Sequence, residues 1–431
     1  MAIAASVSGL RLGGVFEDPL LDVMNFLNEV VQRYPQAVSF APGRPAEELF
    51  DVEGSLGAIP RFVEWRANQR GVDARAVYRE LGQYGATNGI LKELIAAQLA
   101  ADEGIRAEPE SIVVTCGCQE AMALLLLTLF EPGRDVLLAS DPTYIGITGL
   151  ARILGIEVAP VAIGPEGLEL AAVLAAIAKV RAAGGRPRAL YDIPDFNNPM
   201  GTSMPTAVRR ELLDLLREED VLLFEDNPYG MFAYDAAPAP TIKSLDSAAG
   251  VVYLGSFSKT LFPGLRIGYL VADQQVVGPD GSLRPLAGEL AKVKSLTTVN
   301  TPPLMQAVAG GLLLEAGGSL RDLVGRKLPH YRANRDAMLA ALDRELAGTG
   351  VTWNRPAGGY FLTLDLSFDF GEAELDFCAR THGVICCPMR FFALAPGRER
   401  QVRLSFSYVT PEQVDRGVRA FARFVRERQD P

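Results

Sequence analysis

Short apolar segments alternate with longer amphipathic segments through the middle of this 431-residue chain. The apolar segments are rich in Val, Ile and Leu and lie at residues 111–115, 135–140, 188–193, 221–226 and 251–256. The segments between them, such as 167–183 and 207–218, have the periodicity of amphipathic helices. Apolar strands that alternate with helices predict an α/β fold, in which helices cover both faces of a mostly parallel sheet.

The pattern changes after about residue 320, where shorter strands follow a long helical segment. The predicted elements there are a helix at about 320–345, strands near 360–366 and 401–407, and a final helix that begins at Pro411. This order is typical of a smaller α+β domain. We therefore expect an N-terminal segment (residues 1–58) that joins the small domain, a large domain (59–320) and a small C-terminal domain (321–431).

Composition and charge exclude several classes of function. The net charge of −10 disfavours nucleic acids and anionic membranes as partners. No apolar run approaches the roughly 18 residues of a membrane span, and the N-terminal sequence MAIAASVSGLRLGG lacks the pattern of a signal peptide. The five cysteines form no regular framework and only two histidines are present. We therefore expect a cytoplasmic protein without a metal site, a nucleic-acid partner or a membrane partner.

The most informative segment is GSFSKTLFPGLRIG at residues 255–268. It places Lys259 in a serine- and glycine-rich turn after an apolar strand, although lysines usually occupy exposed positions. A lysine amine forms a Schiff base with a carbonyl group when its neighbours lower its pKa. Ser256 and Ser258 supply hydroxyl donors, and Arg266 supplies a planar guanidinium that suits phosphate. This combination favours a functional lysine over a solvated loop lysine.

This segment resembles the lysine signature of the fold-type I aminotransferases, which bind pyridoxal 5′-phosphate (PLP). From about Ser39 to the final helix, the chain resembles the branch that contains 2-aminoadipate and aromatic (kynurenine-type) aminotransferases. The resemblance implies a large domain with a mostly parallel seven-stranded sheet between helices, and a smaller α+β domain. It also implies PLP bound to Lys259, with an L-α-amino acid and a 2-oxo acid as substrates.

A second motif, LLFEDNPY, lies at the end of a predicted strand and contains Asp226 and Tyr229. PLP withdraws electrons only while its ring nitrogen stays protonated, and a buried carboxylate favours that state. The resemblance implies this role for Asp226, whose alternative is a helix N-cap. It implies that Tyr229 and Asn198, the latter in DFNNPMG, donate hydrogen bonds to the phenolic oxygen of PLP.

A third motif, VVTCGCQEAM, predicts a strand that leads through small residues into a helix, a junction that suits phosphate. The resemblance places Gly117, Cys118 and Gln119 at the phosphate, and a thiol is a weak donor, so we expect the backbone to contribute more. Tyr144 matches the aromatic residue that stacks on the pyridine ring, with a core tyrosine as the alternative. Tyr84 matches a tyrosine that reaches the cofactor phosphate of the partner subunit, which implies a homodimer with shared active sites.

The residues that would recognise the substrate are less sharply defined. Arg403, in QVRLSFS, matches the arginine that binds the α-carboxylate, and a guanidinium among apolar neighbours needs such an anion. Gly43, in FAPGRP, matches a segment at the mouth of the active site. The resemblance also implies that Asn198 contacts the substrate. Arg44 would favour an acidic substrate side chain.

An aromatic side chain is the alternative, because Tyr144, Phe391 and Phe392 can line an aromatic pocket. Two departures from the family pattern surround the substrate entrance. The segment 51–79 is longer than usual, and Met389 in CCPMRFF stands where many relatives have a glycine. Because methionine adopts a left-handed conformation only at a cost, we expect a reshaped loop there.

The resemblance implies an aminotransferase in which Lys259, Asp226 and Tyr229 act through aldimine, quinonoid and ketimine states, with Lys259 as the general base at Cα. The altered entrance leaves one alternative open. A PLP-dependent lyase or synthase of the same fold would instead carry out elimination, replacement or cyclisation in a specialised biosynthetic pathway.

Overall fold

A twisted sheet forms the centre of the computed structural model, which describes residues 13–18 and 21–429. Its strands are β1 (Ile112–Thr115), β2 (Asp135–Asp141), β3 (Glu157–Gly164), β4 (Arg186–Asp192), β5 (Leu222–Asp226), β6 (Val251–Ser256) and β7 (Gly268–Val271). Their order is β1-β7-β6-β5-β4-β2-β3, and the two-residue strand Gly167–Leu168 extends the β3 edge. β7 is antiparallel to its neighbours β1 and β6, the two-residue strand is antiparallel to β3, and the other described pairs of this sheet are parallel. The expected α/β fold with a mostly parallel sheet is confirmed, and the two-residue strand adds an eighth strand to the seven that were expected.

Burial on both faces explains why these segments form strands. Every residue of β1, β2 and β7 is buried. Within β2, Leu137 and Leu138 belong to two different buried clusters, one on each face of the sheet. The sequence did not predict β3 and β7. Part of β3 is exposed and it contains Pro160, which weakens the strand pattern, and β7 has only four residues.

Helices pack on this sheet and at its ends. Up to residue 320 they are Val23–Arg33, Val52–Leu56, Ile59–Arg70, Ala74–Leu81, Lys92–Asp102, Cys118–Leu129, Ile145–Ile153, Leu170–Ala182, Thr206–Glu218, Ile242–Leu245, Phe257–Thr260, Leu286–Thr297 and Pro303–Glu315. Short 3-10 turns lie at Gly14–Glu17, Glu47–Leu49, Pro109–Ser111 and Pro263–Leu265. Residues 275–285 form a hairpin in which Gln275–Val277 pairs with Leu283–Pro285.

A second, antiparallel sheet follows. Its strands are β8 (Thr352–Trp353), β9 (Phe361–Asp365), β10 (Cys387–Pro388) and β11 (Gln401–Ser405), in the order β8-β9-β11-β10. The helices of this region are Arg321–Gly325, Leu328–Glu345, Glu372–Phe377 and Pro411–Gln429, with a π turn at Cys378–His382 and a 3-10 turn at Met389–Phe392. The single helix predicted at 320–345 is therefore two helices. Pro329 lies in the first turn of the second helix, where its missing N–H costs little, whereas it would interrupt a continuous helix.

The N-terminal segment pairs with the C-terminal region, since Val38–Ser39 forms a parallel ladder with Val384–Ile385. The division of the chain at residues 58 and 320 stays a prediction. The expectation about a signal peptide rests mainly on residues 1–12, which lie outside the described residues. Across 13–18 and 21–429, no helix combines the length and the hydropathy needed to cross a membrane.

The topology determines where a ligand can bind. Thr115, Asp226 and Ser256 are the last residues of β1, β5 and β6. These three strands run in the same direction, because β7 is antiparallel to both β1 and β6. Their carboxyl ends therefore meet at one edge of the sheet, which is the edge where open α/β sheets bind ligands.

Candidate active site

Lys259 lies in the short helix Phe257–Thr260, directly after β6. Ser256 caps this helix, because its Oγ accepts a hydrogen bond from the backbone N–H of Ser258 at 3.1 Å. The Lys259 Nζ donates to the carbonyl oxygen of Gly43 at 2.8 Å. Burial and the positive charges of Arg266 and Arg403 lower the pKa of Lys259 to about 8. A substantial share of this amine is therefore neutral and nucleophilic near physiological pH.

Asp226, the last residue of β5, is buried with one oxygen partnered and the other free. Its Oδ2 accepts a hydrogen bond from the Tyr191 hydroxyl at 2.6 Å, and its Oδ1 has no hydrogen-bond partner. Burial raises the pKa of Asp226 to about 7, while the Tyr191 hydrogen bond and the charge of Lys259 oppose that rise. A buried carboxylate oxygen without a partner is costly unless a ligand supplies a donor.

The turn between β1 and the helix Cys118–Leu129 forms a cradle whose shape requires glycine. Gly117 has φ of 80°, and a Cβ there would collide with the Arg266 guanidinium. A Cβ on Gly268 would lie 2.7 Å from the backbone nitrogen of Cys118. The Arg266 Nη1 lies 3.5 Å from the Ser258 Oγ, and its Nη2 donates to the backbone oxygen at position 116 at 3.3 Å. A guanidinium beside a helix N-terminus matches the needs of a phosphate group.

The side chains of Cys118 and Gln119 are engaged within the protein. The Cys118 thiol donates to the carbonyl oxygen of Gly255 at 3.1 Å, and burial raises its pKa well above the ordinary value. The Gln119 amide donates to the carbonyl oxygen of Gly146 at 3.1 Å and accepts from the Tyr144 hydroxyl at 3.3 Å. The backbone N–H groups of this turn are therefore better placed than either side chain to bind an anion.

Tyr144, Tyr229 and Asn198 line the same cavity. Burial raises the pKa of Tyr144 to about 12 and also raises that of Tyr229, so both hydroxyls stay protonated. The Tyr229 ring packs edge-on against Tyr360 and Phe361, with centroids 5.4 and 5.7 Å apart, and its hydroxyl interacts with Asn198. Two neutral hydroxyl donors are therefore held beside the cavity.

Arg403 is buried in β11 and lies between the rings of Phe361 and Phe392, 4.4 and 4.5 Å from their centroids. Its Nη1 donates to the Asn198 Oδ1 at 2.9 Å, its Nη2 donates to the carbonyl oxygen of Ala41, and its Nε has no partner. Burial lowers the pKa of Arg403, and among the described residues the groups that oppose this effect are Cys387 and Tyr229, neither of which is a carboxylate. A desolvated guanidinium without a carboxylate is prepared to bind an anionic ligand.

The structure does not bring every predicted residue into this cavity. The carbonyl group of Gly43 contacts Lys259, and a Cβ on Gly43 would collide with Phe361. The exposed Arg44 reaches the cavity mouth but stacks 4.0 Å over the Tyr408 ring. Tyr84 is 81% exposed and does not line the cavity of its own chain.

Three residues at the site were missed at the sequence level. Tyr191 stands within an apolar strand, and nothing local marks it as functional. A signal existed in the strand register, because Tyr191 is opposite Phe224 and so shares a face with Asp226. Phe361 and Ala41 contact Arg403 only because β9 and the N-terminal segment pack beside β11. Such contacts between distant segments leave no local pattern.

The cavity has a volume of about 310 Å³, and its chemistry fits PLP. The free Asp226 Oδ1 suits the protonated ring nitrogen, the cradle at Gly117 and Arg266 suits the phosphate, and Lys259 suits the carbonyl carbon. Across the described ranges no group of three or more His, Cys, Asp or Glu side chains could hold a metal ion. Met389, at the altered loop, is buried and is not among the described residues with positive φ.

Comparisons with known proteins agree with this chemistry. The sequence profile of the family described as aminotransferase class I and II matches residues 63–421. The (S)-3,5-dihydroxyphenylglycine transaminase of Amycolatopsis orientalis is 42% identical over 427 residues, which cover 99% of this chain and 96% of the relative. A kynurenine aminotransferase of Pyrococcus horikoshii, solved in complex with PMP, has a TM-score of 0.80 at 26% identity, with 98% and 96% of the two chains covered. The α-aminoadipate aminotransferase of Thermus thermophilus has a TM-score of 0.75 at 31% identity, with 92% and 94% covered.

The chain therefore belongs to the class I and II aminotransferases. It is a PLP-dependent enzyme that transfers an amino group between an amino acid and a 2-oxo acid. The relatives favour this reaction over the alternative of elimination, replacement or cyclisation.

The cradle allows a matched test. We expect Gly117→Ala to weaken PLP binding to the apoenzyme by about 10-fold or more, because the new methyl group displaces the Arg266 guanidinium. Gly133→Ala is the control, since Gly133 also has φ of 80° but has no atom within 4 Å of the added carbon. Both variants should lose about 1–2 kcal/mol of stability in urea unfolding. Equal PLP dissociation constants for the two variants, measured by absorbance titration, would contradict the assigned cradle.

Proposed function

We propose that the cavity lined by Lys259, Asp226 and Arg403 is the aminotransferase active site. One observation carries the proposal: three charged groups with incomplete partners face a single cavity. These are an amine whose pKa is lowered, a carboxylate with a free oxygen and a guanidinium without a carboxylate. Each would be costly to bury for structure alone, and each matches a different part of the reaction.

PLP, when bound, supplies a carbonyl carbon for the amino group and a ring that withdraws electron density from Cα. Lys259 would hold this carbonyl carbon until the substrate amine replaces it. The Lys259 amine would also serve as the general base that takes the proton from the substrate Cα, and as the acid that returns it. Arg403 binds the α-carboxylate and so fixes the direction of the Cα–H bond.

The remaining assigned residues position the cofactor. Ser256, Ser258 and Arg266, with the backbone of the Gly117–Cys118–Gln119 turn, would bind the phosphate. Tyr144 would lie against the ring, and Asn198 and Tyr229 would donate to its phenolic oxygen. Asp226 would keep the ring nitrogen protonated through its free Oδ1.

We propose that the substrate carries an aromatic side chain. The part of the cavity beyond the proposed cofactor contacts is apolar and includes Val31, Ile145 and Phe392. Arg44, the residue that would favour an acidic side chain, is already stacked on Tyr408. The relative from Amycolatopsis orientalis is named for a phenylglycine substrate, which agrees with this choice.

We also propose a homodimer with shared active sites in the cytoplasm. Tyr84 is 81% exposed, and Leu296, Val299 and Leu304 are also exposed, by 89%, 46% and 48%. The segments that carry them are neighbours, since a Cβ on Gly85 would lie 3.7 Å from Pro303. An exposed tyrosine beside exposed apolar side chains supports a second copy of this chain as the partner. All five cysteines are free thiols, which supports a reducing compartment.

A single-turnover experiment tests the reaction and the substrate class together. Holoenzyme given an amino donor without a 2-oxo acid should release one equivalent of 2-oxo acid per subunit and then stop. Aromatic donors, such as 3,5-dihydroxyphenylglycine or phenylalanine, should react about 10-fold more efficiently than 2-aminoadipate. Lys259→Ala should lower the rate by about 100-fold or more, whereas Lys292→Ala, at an exposed lysine, should not.

Two results would overturn this account. Continued product release without an acceptor would mean elimination or cyclisation instead of amino-group transfer. A faster reaction with 2-aminoadipate would show that an acidic side chain is preferred.

Subunit complementation tests the shared site. Lys259→Ala and Tyr84→Ala should each impair the enzyme alone. When equal amounts are unfolded together and refolded, mixed dimers contain one intact site, so the mixture should recover about one quarter of wild-type activity. Absence of recovery, despite mixed dimers seen by native mass spectrometry, would show that Tyr84 serves its own chain.

A further inference from the structure

Tyr191 contacts the carboxylate proposed to control the cofactor, yet it lies deep within the sheet. It belongs to β4 and is fully buried. Tyr191 pairs in register with Phe224 of β5. Asp226 lies two residues after Phe224 on that strand, so the side chains of Tyr191 and Asp226 lie on the same face of the sheet. This geometry lets the Tyr191 hydroxyl donate to the Asp226 Oδ2 at 2.6 Å, a distance typical of a hydroxyl that donates to a carboxylate.

The hydrogen bond divides the two oxygens of Asp226 between the protein and a ligand. The Oδ2 is occupied by Tyr191, whereas the Oδ1 is buried without a partner. A donor on one oxygen stabilises the ionised carboxylate and fixes its rotation, which determines the direction of the other oxygen. In the described part of the chain, Tyr191 is the one side chain hydrogen-bonded to Asp226.

The other groups around Asp226 give its charge little support. Lys259 is cationic in its free form, but this amine is the group proposed to hold the cofactor. Cys118, Tyr144 and Tyr229 also face Asp226, and burial raises the pKa of each, so all three stay neutral. The pKa of Tyr191 is raised as well, by burial and by Asp226, so its hydroxyl stays a donor over the working range.

We propose that Tyr191 is a positioning residue for the reaction, which keeps Asp226 ionised and directs its free oxygen toward the ring nitrogen of PLP. The proposal rests on the proposed function, because it assumes that Asp226 faces this nitrogen. Tyr191 itself touches neither the substrate nor the reacting atoms. Its effect passes through the charge of Asp226 to the ring, and from the ring to Cα.

The test is Tyr191→Phe in the holoenzyme, which removes one hydroxyl group and keeps the ring. With PLP labelled at its ring nitrogen, the nitrogen NMR signal reports directly whether this atom is protonated. We expect the wild-type nitrogen to stay protonated as the pH rises, and the nitrogen in the variant to lose its proton at lower pH. The visible absorbance of the bound cofactor should change with a pH midpoint about 0.5 unit or more higher in the variant than in the wild type. The reason is that a less positive ring makes the Lys259 nitrogen, which is joined to the cofactor, more basic.

Activity gives a second measurement. Tyr191→Phe should lower kcat by about 10-fold, with a smaller effect on KM, because the hydrogen bond supports electron withdrawal more than substrate binding. Tyr269→Phe is the matched control. Tyr269 is also buried in the same sheet, and its hydroxyl donates to the Gln98 Oε1 at 3.4 Å and not to Asp226. Both variants should retain the wild-type melting temperature within a few degrees.

The outcomes separate this proposal from the proposed function. Wild-type protonation and kcat in Tyr191→Phe, with an enzyme that still transfers amino groups, would overturn the role of Tyr191 alone. An equal loss in Tyr269→Phe would also overturn it, because the effect would then come from packing. If Lys259→Ala transfers amino groups at the wild-type rate, the assignment of the active site fails instead.

Discussion

Lys259, Arg266 and Arg403 surround the cavity with basic groups, and Arg44 adds a fourth at its mouth. Among the described residues that line the cavity, Asp226 is the one carboxylate. Burying charge costs free energy unless partners compensate for it. The excess of positive charge therefore favours the binding of anions, and the two proposed here are a phosphate and an α-carboxylate. Burial and the charges of Arg266 and Arg403 lower the pKa of Lys259, so the groups proposed to bind the anions also favour the nucleophilic form of this amine.

The fold gathers these charges from separate parts of the chain. Asp226 and Lys259 lie at the carboxyl ends of β5 and β6, whereas Arg403 comes from the second sheet. The N-terminal segment completes the arrangement, since the carbonyl groups of Ala41 and Gly43 accept hydrogen bonds from Arg403 and Lys259. Neutral carbonyl groups satisfy donors without cancelling their charge, so the attraction for anions is preserved.

The sequence predicted the parts of this structure whose determinants are local. Continuous apolar strands defined most of the sheet, and the lysine segment with the strand end at Asp226 indicated the proposed site. What it missed depends on contacts between distant segments. The β3 strand is partly exposed and contains a proline, so its pairing with β2 decides its conformation. The break before Leu328 follows from Pro329, whose effect the helical periodicity concealed. Tyr191 acquires its partner only through the register of β4 against β5.

The most direct test of the central claim is the pH dependence of cofactor attachment. Only a neutral lysine amine attacks the carbonyl carbon of PLP, so the rate of attachment to the apoenzyme follows the fraction of Lys259 that is deprotonated. Stopped-flow absorbance should show a rate that rises with pH and levels off above a midpoint near 8. A rate that continues to rise through the ordinary lysine value of 10.5 would contradict the account, because neither burial nor the neighbouring positive charges would then lower the pKa of Lys259.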